Sequence, residues 1–181
     1  PRSVYAEVIH AIVQQQPKAI VFDVTFNERD LDRPDSDQLF NQAIKDQATI
    51  FFPFIRSELD RAAYVGKLSD LQNRLGLIKT SRADELAHGA FLLPMAIDPS
   101  QWRIGTVNFA GDADGVGRRY ELYTDISGWL VPSLPARVAQ NLGYAVPQKA
   151  DFVLTWHGDR NPYQRISFTD LYADIDREKP Q

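Results

Sequence analysis

The class of fold is decided by the stretch Ala19-Ile20-Val21-Phe22-Asp23-Val24-Thr25. Its continuous apolar, β-branched run is typical of a strand buried on both faces, and such strands are usually parallel and central in their sheet. We expect this strand to end near Thr25. The run Thr49-Ile50-Phe51-Phe52 before Pro53 predicts a second buried strand.

Helical patterns surround these two strands. Apolar residues recur at helical spacing before the first strand, and Asp35 and Asp37 place negative charge at the start of a helix between the strands. Ser133 and Ser167 each precede an apolar stripe and predict two later capped helices. Helix and strand alternating in this way indicate α/β architecture.

The third quarter of the chain predicts antiparallel pairing. Residues 102–109 and 118–124 have strand patterns, and the segment between them is rich in turn residues. The short spacing predicts an antiparallel hairpin around residues 102–124. The predicted fold class is therefore α/β, with a mixed, partly parallel central sheet flanked by helices.

Composition limits the kind of protein. The 181 residues are 44% hydrophobic and 24% charged, and they contain no internal repeat, so we predict one globular domain over residues 1–181. The net charge of −4 gives no basic field for nucleic acid, which we exclude as a partner. The absence of cysteine excludes thiolate nucleophiles and Cys-rich zinc sites.

No apolar run is long enough to span a bilayer, and the start on Pro1 predicts a fragment of a longer protein.

Asp23 is the first candidate for chemistry, because open α/β sheets bind ligands at the carboxyl ends of their strands. The stretch that ends on Asp23 resembles the first motif of aspartyl-phosphate phosphohydrolases. Their second Asp, two residues later, is replaced here by Thr25, which cannot act as the general acid. We therefore favour a structural or hydrogen-bonding role for Asp23 over a nucleophilic one.

The segment Asp112-Ala113-Asp114-Gly115 has the start of a calcium loop but lacks the remaining ligands. The alternative is a hairpin loop in which Asp side chains accept backbone amides and the glycine supplies positive φ. Arg118 and Arg119 follow, either to pair with these carboxylates or to face a ligand, and we favour the internal pair. The three histidines are too scattered for a zinc site, so we predict no metal, no cofactor and no catalytic residue.

Several motifs in a fixed order resemble one family. They are Arg2, Tyr5 and Ala6 of the first helix; residues 20–28; the acidic start of the next helix; Gly105 and Asn108; residues 112–119; residues 132–135; and residues 166–171. Together they resemble the CHASE-two domain, the second type of cyclase- and histidine-kinase-associated extracytoplasmic sensory domain. The resemblance covers about 170 residues.

This resemblance implies the extracytoplasmic sensor of a bacterial membrane receptor, held on the periplasmic face of the inner membrane through flanking segments. The output would be a cyclase, kinase or phosphodiesterase domain inside the cell. Members of the family normally continue into another buried strand, so we expect this chain to be truncated on its C-terminal side. Their ligands are unknown, so the resemblance supplies no binding residues.

Our leading hypothesis is a non-catalytic sensor for a small-molecule or protein signal, with a homodimer left open. A structural dimerisation module without ligand and a phosphohydrolase using Asp23 are the alternatives. Position in the sequence alone selects the candidate ligand-binding residues. They are Asp23, Asn27, Glu28, Asn108, Asp112, Asp114, Arg118 and Arg119.

Overall fold

The computed structural model describes residues 1–58, 62–148, 152–155 and 163–175. Within these ranges the helices are α1 (Arg2–Gln14), α2 (Pro34–Ile44), α3 (Leu68–Leu75), α4 (Leu134–Asn141) and α5 (Phe168–Asp174). The strands are β1 (Ile20–Val21), β2 (Ile50–Arg56), β3 (Tyr64–Lys67), β4 (Ile78–Lys79), β5 (His88–Leu92), β6 (Ile104–Thr106), β7 (Arg119–Tyr120), β8 (Tyr123–Ile126), β9 (Trp129–Pro132) and β10 (Phe152–Val153). The predicted α/β class is confirmed.

The chain divides into two compact units. The helical unit comprises Pro1–Pro17, Asp30–Gln47 and Thr155–Gln181, and the sheet unit comprises Lys18–Arg29 and Ala48–Leu154. The single domain over residues 1–181 stays a prediction.

In the helical unit, α1 packs on α2 through buried apolar side chains. Ile9, Phe40 and Ile44 are almost completely buried, and the Tyr5 ring lies 6.4 Å from the Phe40 ring, edge to face. The carboxylate of Asp37, at the start of α2, forms an ion pair with Arg2. The predicted acidic helix start is thus used to join two helices as well as to complement the helix dipole.

The main sheet of the second unit is built around β2. β1 and β6 both pair with β2 in parallel, and β5 and β3 continue the sheet in antiparallel order. Pro53 lies between the residues of β2 that pair with β1 and those that pair with β5. A proline is tolerated in this buried strand because its missing N–H falls where β2 changes neighbours on that side.

The first predicted strand is parallel, as expected, but it is shorter and less buried than its sequence indicates. β1 ends at Val21 instead of near Thr25, lies at the edge of the sheet, and leaves Val21 48% exposed. The reason is that β2 pairs with β5 from Ile55 onward. The ring of Phe22, which follows β1, stacks on the ring of Phe52 with centroids 5.1 Å apart, and Phe22 is only partly buried.

The antiparallel hairpin lies later in the chain than residues 102–124. It consists of β8 and β9, joined by Ser127 and Gly128. β6 instead pairs in parallel with β2, and β7 pairs with β10. β6 is fully buried, as a central parallel strand should be, whereas positive φ at both Ser127 and Gly128 gives the backbone of a tight hairpin turn.

Candidate functional site

Asn108 fixes the segment after β6 to the last residue of β2. Its Oδ1 accepts a hydrogen bond from the Arg56 amide at 2.7 Å, and its Nδ2 donates to the Arg56 carbonyl at 3.0 Å. The side chain thereby takes the place of another residue of β6 in the ladder. The loop that follows therefore begins at the carboxyl end of the central strand.

The loop of residues 112–118 is held by its own carboxylates. The Gly115 amide donates to the Asp112 carbonyl at 2.8 Å, and the Val116 amide donates to the Asp114 carboxylate at 3.1 Å. Gly115 has φ +79°, which favours glycine at this position. The bond to Asp114 is of the predicted kind, in which an Asp carboxylate accepts a hydrogen bond from a backbone amide. The loop does not join the arms of a hairpin, however, because β6 pairs with β2 and β7 pairs with β10.

Arg118 forms the internal ion pair that the sequence favours. Its guanidinium donates to the carboxylates of Asp114 at 2.8 Å and Asp112 at 3.3 Å. The Arg118 hydrogen bond, with help from the Val116 amide, lowers the pKa of Asp114. The hydrogen bonds to Asp114 and Asp112 raise the pKa of Arg118. These charges therefore hold the loop in shape.

A cavity of about 440 Å³ lies between this loop and the end of β2. We call it the loop cavity, and it is lined by Arg56, Asn108, Phe109, Ala110, Asp112, Arg119 and Glu121. It brings together Asn108, Asp112 and Arg119 of the predicted site residues. Asp114 and Arg118 belong to the same loop but do not line the cavity.

The other predicted residues lie elsewhere. Asp23 lines a separate, mainly apolar cavity of about 630 Å³ beside α4. Tyr120 lines the same cavity. Burial raises the pKa of the Tyr120 hydroxyl, a hydrogen bond with Ser133 opposes the rise, and the negative charge of Asp23 adds to it. Asn27 and Glu28 follow β1 and line neither cavity. The Oδ1 of Asn27 is buried and accepts no hydrogen bond from the residues that the structure describes.

The loop cavity has four further lining residues that were not selected from the sequence: Arg56, Phe109, Ala110 and Glu121. Arg56 ends an apolar run, as Asp23 does, so the rule that placed a ligand at the carboxyl end of a strand applies equally to it. Phe109 and Glu121 give no comparable signal, because their place depends on how the loop folds back.

No helix in the described ranges is both long and apolar enough to cross a membrane.

Comparison with known proteins gives one result. No curated protein and no solved structure matches the chain. A family model, that of the CHASE2 domain, matches residues 1–181, which is the whole chain. This family consists of extracytoplasmic sensory domains found in cyclases and kinases, and the domain itself is not catalytic. The chain therefore belongs to the CHASE2 family of extracytoplasmic sensory domains.

Proposed function

We propose that this chain is the ligand-sensing part of a bacterial transmembrane receptor, such as a nucleotide cyclase or a histidine kinase, and that it binds a small polar molecule in the loop cavity. The receptor would present it on the periplasmic face of the inner membrane. The observation that carries the proposal is the loop cavity itself, which gathers Arg56, Asp112, Arg119 and Glu121 beside the end of the central strand. Cavities of this size bind small molecules in many proteins.

The cavity is suited to signalling because two different segments form its walls. Arg56 belongs to the core strand β2, whereas Phe109, Ala110 and Asp112 belong to the segment between β6 and β7. A ligand that touches both segments stabilises the arrangement in which they lie close together. A ligand shifts a conformational balance only when it has different affinities for the two states, and contact with both segments supplies that difference.

A thermal-shift screen of small polar molecules tests this proposal. Binding to the native state at about 100 times the Kd adds about 2.7 kcal/mol of stability. For a chain of this size that corresponds to a rise in Tm of roughly 5–11 °C. We expect at least one polar compound to raise the Tm of the unaltered chain.

Two tryptophan variants locate the binding. Ala110→Trp fills the cavity and should abolish the rise in Tm. Ala113→Trp is the matched control, since Ala113 is exposed on the same loop and does not line the cavity. If the compound raises the Tm of both variants by the same amount, the proposal is contradicted. A concentration-dependent dimer in sedimentation, with no compound affecting Tm, would instead support a dimerisation module.

A further inference from the structure

Two side chains of opposite charge line the loop cavity without an oppositely charged partner in the described part of the chain. The Nε of Arg56 is buried and makes no hydrogen bond to any described residue. The Glu121 carboxylate accepts a hydrogen bond from the Thr124 hydroxyl at 3.0 Å and forms no salt bridge with any residue that the structure describes. Asp112, in contrast, is already paired with Arg118.

The two charges that lack an oppositely charged partner indicate the class of ligand. A half-buried guanidinium without a counter-ion is unfavourable, and a carboxylate is its best partner because the two can form paired hydrogen bonds. Glu121 in turn offers acceptor oxygens to an ammonium group. The complement of a cation and an anion that do not pair with each other across one cavity is a molecule that carries both charges.

We propose that the loop cavity binds a zwitterion of the amino-acid type, with its carboxylate on Arg56 and its ammonium on Glu121. This inference rests on the proposed function and specifies its ligand class.

Phe109 provides an apolar wall for the rest of such a ligand. Its ring is half-exposed and stacks on Tyr120, with centroids 6.2 Å apart and an interplanar angle of 23°. A Cβ at position 117 would lie 2.4 Å from the Phe109 ring, so Gly117 leaves room for the ring to lie there. The volume of about 440 Å³ is near the lower end for ligand pockets, which favours a single amino acid or a dipeptide over a longer peptide.

Calorimetric titration with derivatives that each lack one charge tests the inference. The panel is the free α-amino acids with β-alanine and γ-aminobutyrate, followed by the N-acetyl and the carboxamide derivatives of the best binder. We expect each derivative to bind about 10- to 100-fold more weakly than its parent, because each loses one charge-assisted interaction.

Variants of the two residues assign the charges. Arg56→Gln should bind the parent as weakly as its carboxamide, and Glu121→Gln should bind it as weakly as its N-acetyl derivative. The backbone bonds between Arg56 and Asn108 survive the first substitution, and Glu121 is exposed, so both variants should fold with unchanged circular dichroism. Arg165→Gln is the control, since Arg165 is exposed in the helical unit and should not alter binding.

The outcomes separate this inference from the proposed function. If the cavity binds polar compounds of a single charge, and binds zwitterions no better, the inference is overturned and the proposed function stands. If amino acids bind but neither variant changes the preference among derivatives, the assignment to Arg56 and Glu121 is overturned. If Ala110→Trp leaves ligand binding unchanged, the ligand does not bind in the cavity, and both the proposed function and this inference fail.

Discussion

The Asn108 side chain forms hydrogen bonds to both the amide and the carbonyl of Arg56. One lone pair of its Oδ1 and one N–H of its Nδ2 are used there, which leaves the second of each for a ligand. Its role as a ligand-binding residue stays a prediction. The clamp joins residues 52 positions apart, so local sequence pattern could not reveal it.

Asn108→Ala should lower the free energy of unfolding by about 1–3 kcal/mol, because the Arg56 amide and carbonyl both lose their partner in a partly buried place. Urea denaturation measures this change. Asn141→Ala is the control, because Asn141 makes one long, exposed hydrogen bond to the Ala48 carbonyl. The control should change stability by no more than about 0.5 kcal/mol. Equal losses in the two variants would show that the clamp carries no special energy.

Arg118→Gln should raise the pKa of Asp114 toward its ordinary value of 3.8, because the largest influence that lowers it is removed. Because the pKa of Asp114 is depressed in the folded state, its ion pair with Arg118 stabilises the loop fully at pH values above the ordinary pKa. This stabilisation is lost as the pH falls through the folded-state pKa of Asp114. Carboxylate NMR shifts measured against pH report the change directly. An unchanged Asp114 titration would mean that the ion pair does not form in solution.

At the scale of elements, the best predictions came from helix ends. The hydroxyl groups of Ser133 and Ser167 accept hydrogen bonds from the backbone amides of Ala136 and Asp170, respectively, as capping residues do. Strand partners were harder to predict. Residues 104–106 read equally well as one arm of a hairpin and as a buried parallel strand, and only the long-range pairing with β2 decides between these two alternatives. The hairpin turn at Ser127 and Gly128 was missed, although a polar residue followed by glycine was visible there.

Gly128→Ala tests this turn. Gly128 has φ +83°, and an added Cβ would lie 2.5 Å from the Arg82 carbonyl group. Gly143 is a matched control, because it has φ +80° and nothing within 4 Å of the added atom. Gly143→Ala should cost about 1–2 kcal/mol from backbone strain alone. Gly128→Ala should cost about 1–3 kcal/mol more from the steric overlap, as measured by urea denaturation. Equal costs would show that the neighbouring segment can move away freely.

At the scale of the whole molecule, composition and the alternation of helix and strand were enough to predict the class of fold. They did not predict the division into two units, because segments far apart in sequence, such as Pro1–Pro17 and Thr155–Gln181, are grouped in one unit. The candidate site was predicted in part. The loop of the site was evident from its Asp and Gly residues. Arg56 was not predicted, because only the pairing of the strands brings the end of β2 next to that loop. Without cysteine, the stability of the sheet unit rests on its buried apolar core, to which β2 contributes Phe51, Phe52 and Phe54.

Phe54→Ala should therefore destabilise the protein by about 3–5 kcal/mol, because Phe54 is fully buried and its ring lies 5.6 Å from that of Phe91. Phe152→Ala, at a ring that is 50% exposed, should cost much less. Chemical denaturation followed by tryptophan fluorescence distinguishes the two. Similar losses would place the main core of this unit somewhere other than along β2.

The bonds between Asn108 and Arg56 involve only main-chain atoms of residue 56. Any residue other than proline at position 56 can therefore keep the loop anchored, while the side chain at that position faces the cavity. In the proposed site, changes in ligand preference are thus separable from changes in stability. Under that proposal, replacing this one side chain alters the signal that is bound and requires no compensating change in the sheet.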